Sequence, residues 1–450
     1  MTPPSGPQIA VSAVETPASR TSGLDRLIHR LALLITVVML MISPMALNAI
    51  GWNYDGTGGS GPTRFHPATY LTVLLFLVML LRDGNPLASL IGAFGHDLRI
   101  TLFLVIWLIV FVHGTTNQQL PAASLIDTFL LPMLLLIMFA RLEPATKNTM
   151  ARLIHFAFTV NALLGLGEFL TGLRLTPYVA GGVAITDDWR STALLGHPLG
   201  NALLTGCYAT ILLLGGGQHL KGWVRLAMIG LQFAAMVAFG GRASLVLLVL
   251  FGAIALARAG FLFVAGKRLL LRQFMLLAIT VPLLLGAIGG LYEFGFFDKF
   301  ILRFIEDKGS AEARIVMFEL FRGFTLPELL FGPPQAQLGY FVQVYRLEFG
   351  IESLWIAFSL YYGILPAILF FTGLLFFILA LMDRCLARGW VIIAYFFVVN
   401  STFLGIAGKT ISFANLCLVL LLLLPKRAPR LAAASSGAYQ AALPKGQVPC

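Results

Sequence analysis

The chain is expected to be an all-α polytopic membrane protein with about twelve transmembrane helices, one large periplasmic loop and both termini in the cytoplasm. Three observations predict this. Of 450 residues, 58% are hydrophobic and only 11% charged, against roughly a quarter charged in an ordinary soluble domain. The apolar residues fall in long runs, and about 20 such residues suffice to cross a bilayer. Basic clusters recur at alternate ends of successive runs, as the positive-inside bias requires. Membrane orientation thereby accounts for the net charge of +11, and nucleic acid is not an expected partner.

Residues 1–25 are rich in Pro, Ser, Thr and Ala without apolar periodicity and are assigned to a disordered cytoplasmic tail. Residues 26–291 are assigned nine spans. The first, Leu31–Ile50, is too long for a cleaved signal peptide. It leads to a Gly-rich outer loop, GWNYDGTGGSGPTRFHP. Spans near Ala68–Leu81, Ile100–His113, Pro121–Ala140 and Ala151–Leu170 follow, with Arg82, Arg99, Arg141, Lys147 and Arg152 on the inner side. A second outer loop precedes the sixth span, Ser191–Leu214. The seventh, Trp223–Phe239, surfaces at GGRAS, the eighth is Leu245–Leu256, and the ninth is Leu270–Leu291.

Residues 292–351 form the large loop, 352–425 carry three more spans (Glu352–Leu381, Val391–Gly405, Ile411–Leu424), and 426–450 form an inner tail. A large share of the chain's 20 acidic residues lies between Tyr292 and Pro366, interleaved with Lys299, Arg303, Lys308, Arg314, Arg322 and Arg346. A chain with so few charges has concentrated them in one extramembrane segment. Cys207, Cys385, Cys417 and Cys450 are scattered and lack metal-type spacing.

On that topology His113, Asp127, Glu168, Arg190, His197, Asn201, Arg242, Glu352, Asn400 and Lys409 fall in the outer half. Polar side chains in lipid are costly and face a cavity or a partner. Their gathering on one side predicts a site that opens outward. A transporter or flippase, the rival from another class, places its key charges near the midplane.

Three pieces together resemble the O-antigen ligase and polymerase superfamily, on its polysaccharide polymerase branch. Arg190 followed by STALLGHPLGNALL resembles the family's arginine-led helix entry. GSAEARIVMFELFRGFTLPELLFGPP, with Arg314, resembles the arginine-led helix of its periplasmic loop, closing on a Phe-Gly turn. The family's ligases carry His, then Asn, Ser or Gln, nine residues, Gly, two residues, and Gly, Thr or Tyr. Here Glu352 and Ser353 are followed by nine residues, Gly363, Ile364, Leu365 and Pro366, so the spacing and glycine match while Glu352 replaces histidine and Pro366 replaces the last small residue. The GGRAS segment around Arg242 also resembles the family's arginine at a helix mouth. The likeness covers about Arg190 to Lys409.

The resemblance implies a metal-independent glycosyltransferase of the bacterial inner membrane, facing the periplasm and needing no cofactor. Its partners would be an undecaprenyl-diphosphate-linked glycan, the lipid bilayer and other polysaccharide export components. The leaving group is a lipid diphosphate, whose oxygens a guanidinium grips bidentately. Arg190, Arg314 and Arg242 are therefore the expected diphosphate ligands. Glu352 is the expected catalytic base, and His197 and Arg322 are secondary candidates. Loss of the ligase histidine favours polymerisation of lipid-linked repeats over ligation to lipid A core or protein.

Each residue also has a duller reading. Glu352 would favour the dipole in the first turn of a helix, Arg190 would pair with Asp187 or Asp188, and Arg314 with Glu312 or Glu319. Arg242 would anchor a helix at the interface, His197 would line a turn, and Asp127 and Glu168 would be structural polars. The segment FFDKFILRFIEDK has an apolar helical face and is expected to lie flat on the outer leaflet.

Overall fold

The computed structural model describes residues 23–54, 61–180, 183–186, 188–218, 220–266, 292–293, 295–305, 310–347 and 350–426. The expected ninth span, Asp187 and most of both tails lie outside the described residues. Helices α1 (Gly23–Met41) and α2 (Pro44–Ala49) are followed by α3 (Pro67–Arg82), α4 (Pro86–Gly95) and α5 (Leu98–Thr116). Next come α6 (Ala122–Phe139), α7 (Pro144–Thr171), α8 (Pro198–Leu213), α9 (Gly222–Phe239) and α10 (Arg242–Val264). Between α7 and α8 lies a small hairpin of β1 (Val179–Ala180) and β2 (Val183–Ala184), paired antiparallel. The acid-rich segment folds into α11 (Asp298–Ile305), α12 (Ser310–Glu319), α13 (Leu326–Phe331) and α14 (Gln335–Val344). The chain finishes through α15 (Leu354–Tyr362), α16 (Ile364–Asp383), α17 (Gly389–Asn400) and α18 (Ser412–Leu423).

Local chemistry sets where these helices start. Pro44, Pro67, Pro86, Pro144 and Pro198 open theirs, where the missing N–H costs nothing. Ser43, His66, Asn85, Asp97 and His197 cap first-turn amides with their side chains. Inside α6, Ile126–Leu130 form a π turn. Pro132 removes an N–H and its ring crowds Thr128, so the ladder widens there.

Every residue of α18 is buried, as is every residue of Leu131–Phe139 in α6. Helices apolar all round belong at the centre, and α18 packs against α6, α7 and α8. Around this core α5 packs on α16, α1 on α3 and α7, and α9 on α7 and α8. Leu108, Ile109, Leu170, Leu375 and others point outward, as they do on a surface wetted by lipid.

Among the described residues, five helices, α5, α6, α7, α9 and α16, are long and apolar enough to cross a membrane, or six if α3 and α4 count as one span bent by 116°. Other expected spans correspond to shorter apolar helices, α8, α17 and α18 among them. The second span, expected at Ala68–Leu81, is helix α3, Pro67–Arg82, after which Gly84 (φ +76°) turns the chain into α4. Two expectations are corrected. The sixth starts at Pro198, seven residues late, because Ser191–His197 are held in an irregular loop. Glu352–Leu381 is not one helix: Gly363 (φ +96°) breaks it into α15 and α16.

Candidate functional site

The site is built on the loop between α7 and α8. Near the end of α7, the buried carboxylate of Glu168 accepts backbone N–H bonds from Leu175 (2.8 Å), Thr192 (2.7 Å) and Ala193 (2.9 Å). Asn161 accepts from the Leu194 amide at 3.0 Å, and Asn201 donates to the Thr192 carbonyl at 2.6 Å. Ser191 is fixed twice, its hydroxyl donating to the Gly165 carbonyl and its amide to the Ala238 carbonyl. Helices α7, α8 and α9 thus hold one stretch of backbone, and Arg190 sits at its start.

Arg190 is only 9% exposed. Its Nε donates to both oxygens of Asp188 (3.0 and 2.8 Å), its Nη2 to Asp188 (2.5 Å) and to the Tyr178 hydroxyl (3.4 Å). Its guanidinium carbon lies 5.4 Å from the Tyr178 ring centre. Burial works against the Arg190 charge, but Asp188 and Tyr178 outweigh it and hold the proton more firmly than usual. Of the alternatives open in the sequence, pairing with Asp188 is what the geometry displays. His197 packs edge-on to the same Tyr178 ring, 5.5 Å between centres, and its Nδ1 accepts the Leu199 amide. Desolvation and the Arg190 guanidinium push its imidazole down to about 4.

The Arg190 stem crosses the glycine pair that precedes α10. A Cβ on Gly240 would lie 2.8 Å from Arg190 Cγ and Cδ, and one on Gly241 would lie 2.3 Å from Ala202 Cβ. The two glycines let the mouth of α10 press against the Arg190 loop on one side and α8 on the other. Beyond them the first turn of α10, with Arg242 and Ser244, lines a cleft that also takes in Glu352 and Thr402. Leu199, Val399 and Phe403 add apolar wall, and about 500 Å³ of space, part of it open to solvent, lies between. Glu352 is not in the first turn of α15, as expected, but precedes the N-cap Ser353, in a tight turn that the Ser353 amide closes on the Ile351 carbonyl at 2.8 Å. It faces the mouth of another helix, α10.

The structure thus brings Arg242 and Glu352 into one cleft and sets Arg190 behind its glycine wall, with His197 behind Arg190. Arg322 stands elsewhere: its side chain is 79% exposed and pairs with Glu319 at 2.5 Å. It lies on a 3₁₀ turn, Leu320–Gly323, beyond the end of α12. Arg314 lies on α12, and its side chain is outside the described ones. The start of the loop approaches the site through aromatics. Phe296 packs on Phe169 (5.1 Å between centres), Phe169 packs on Trp189 (5.7 Å), and Lys299 caps Phe169 at 5.5 Å.

Sequence reasoning missed how the loop's far end is fastened. A Cβ on Gly363 would lie 2.4 Å from the Phe331 carbonyl carbon and the Gly332 nitrogen, so the Phe-Gly turn is pressed into the α15–α16 break. His113 Nε2 reaches the carbonyls of both Phe331 (2.9 Å) and Tyr362 (2.8 Å). Gln118 Nε2 donates to the carbonyls of Phe331 and Gly332. The signal was present as the spacing of Gly363 and the FGPP turn, without the partner that joins them.

Chemically, the cleft offers a helix N-terminus whose first amides lack intrahelical acceptors, a guanidinium, hydroxyl groups and a carboxylate. The first two suit an anion such as phosphate, and a carboxylate nearby suits removal of a proton from a hydroxyl. Comparison with known protein families, with curated proteins and with solved structures finds no match to this chain.

Proposed function

We propose that this is a metal-independent membrane glycosyltransferase that polymerises undecaprenyl-diphosphate-linked oligosaccharide repeats into surface polysaccharide. The observation that carries it is the single cleft in which the first turn of α10, with Arg242, meets Glu352. In this reading the diphosphate of one lipid-linked glycan lies on Arg242 and the α10 amides. Glu352 takes a proton from the incoming hydroxyl as it attacks the anomeric carbon, and the lipid diphosphate leaves with the bonding electron pair. Cation and helix dipole are already in place where that charge develops. Arg190 supports the wall from behind Gly240. The resemblance across Arg190 to Lys409 supports the glycan assignment, and twelve spans with both termini inside would put the cleft on the periplasmic face of a bacterial inner membrane.

The experiment is a deletion strain complemented with wild type, Arg242→Ala, Arg190→Ala or Glu352→Gln at matched expression, scored by surface glycan chain length. Loss of long chains with accumulation of single lipid-linked repeats is the expected outcome. Full-length polymer stranded on its lipid carrier would instead identify a ligase, and normal glycan from all variants would refute the assignment.

A further inference from the structure

The mechanism above gives no role to the buried carboxylate of Glu168, which ties down the loop beside the site. Glu168 is 7% exposed and accepts three backbone N–H bonds of 2.7–2.9 Å. Two of those amides, Thr192 and Ala193, lie two and three residues after Arg190, and the third, Leu175, lies at the other end of the same loop. The carboxylate therefore closes the loop on itself and onto α7. Ala193 has φ +41°, a left-handed conformation that a non-glycine residue keeps only when its surroundings impose it. The Glu168 bond to its amide is one such restraint. From there the path to the cleft is short: Arg190, its stem against Gly240, then Arg242 at the α10 mouth.

We propose that Glu168 is a positioning residue that sets Arg190 and, through the Gly240 contact, the anion-binding mouth of α10. A carboxylate suits this place because it accepts only, and charged acceptors make the stronger hydrogen bonds. Glutamine would turn an NH₂ towards amides that themselves donate. Glu168 touches no substrate in this scheme. The inference rests on the diphosphate-binding reading of the cleft.

The test uses purified full-length protein in nanodiscs with farnesyl diphosphate as probe and two readouts, amide hydrogen exchange and equilibrium binding. In Glu168→Gln, exchange at Leu175, Thr192 and Ala193 should speed up and binding should weaken about tenfold, within the usual coupling between residues of one network. In an Arg190→Ala background, Glu168→Gln should weaken binding no further, because its effect passes through that arginine. Should Glu168→Gln not fold, Ser191→Ala, which frees the same loop from Gly165, carries the same expectations at smaller amplitude. Faster exchange with unchanged affinity would reduce Glu168 to a structural anchor and overturn the proposal. So would equal, additive losses in the two backgrounds. Wild-type protein that itself fails to bind the probe would overturn the functional reading and the proposal with it, a failure distinguishable because it precedes any substitution.

Discussion

At Gly240 a methyl group would meet the Arg190 stem at 2.8 Å and the Trp189 ring at 3.1 Å, on backbone with φ +67°. Glycine is therefore required by conformation and by space together. Gly240→Ala should destabilise the protein by about 1–3 kcal/mol and depress glycan polymerisation beyond what its lower abundance explains, as measured by chain length at matched protein level. Wild-type chain length would show that Arg190 need not be held there. Arg190 and Arg242 were legible as candidates because they stand at helix mouths on the side expected to face outward, apart from the inner basic clusters. Their unequal roles were not, since one carboxylate, Asp188, occupies Arg190, and only the fold reveals which carboxylate reaches which guanidinium. His197 carries a second prediction. Its folded-state value of about 4, against an ordinary 6.5, means that the unfolded chain binds more protons between those values. Stability should rise with pH across that window and be lost as pH falls from about 6.5 towards 4. His197→Gln should flatten the plot of thermal midpoint against pH there, and an unchanged slope would assign it to other groups.

Among the elements, α15 is the one on which the site depends most. One end presents Glu352 to the cleft, and the other ends at Gly363, into which the Phe331–Gly332 turn is pressed. The cleft and the loop attachment are thus joined by nine helical residues. Gly363→Ala should push the turn out of the break, and His113→Ala should remove the ring that joins the Phe331 and Tyr362 carbonyls, leaving Phe331 held by Gln118 alone. Both should expose residues between Thr325 and Gln335 to limited proteolysis; retained protection would show that the loop is held by other contacts. The helix break escaped the sequence reading because LWIAFSLYYGILPAILFF is continuously apolar and a lone glycine is tolerated in helices. The π turn in α6 escaped it for a related reason, since hydropathy registers composition and not the hydrogen-bond ladder. Helix α3, with Pro67 at its start and His66 capping before it, was the more legible, since its expected start, Ala68, lies one residue away.

On the scale of the whole molecule, apolar runs predicted a helical bundle because lipid-facing and core-facing residues are both apolar. For the same reason they could not tell which helices lie at the centre. Helix α18, buried throughout, and α5, exposed along much of its length, are equally hydrophobic to the eye. Charge was more informative. Arg99 pairs with Asp97 and Asp383, and Arg384 with Asp97, tying the α4–α5 junction to the end of α16 on the side expected to face inward. Glu352, Arg242 and Arg190 lie in the half expected to face outward. The most direct measurement is binding of undecaprenyl diphosphate to the purified protein in nanodiscs, comparing wild type, Arg242→Ala and Glu352→Gln. Wild type and Glu352→Gln should bind alike while Arg242→Ala loses most affinity, because in the proposed reaction the guanidinium holds the diphosphate and the carboxylate acts only on the attacking hydroxyl. Unchanged binding by Arg242→Ala would contradict the assignment of this cleft to a lipid diphosphate.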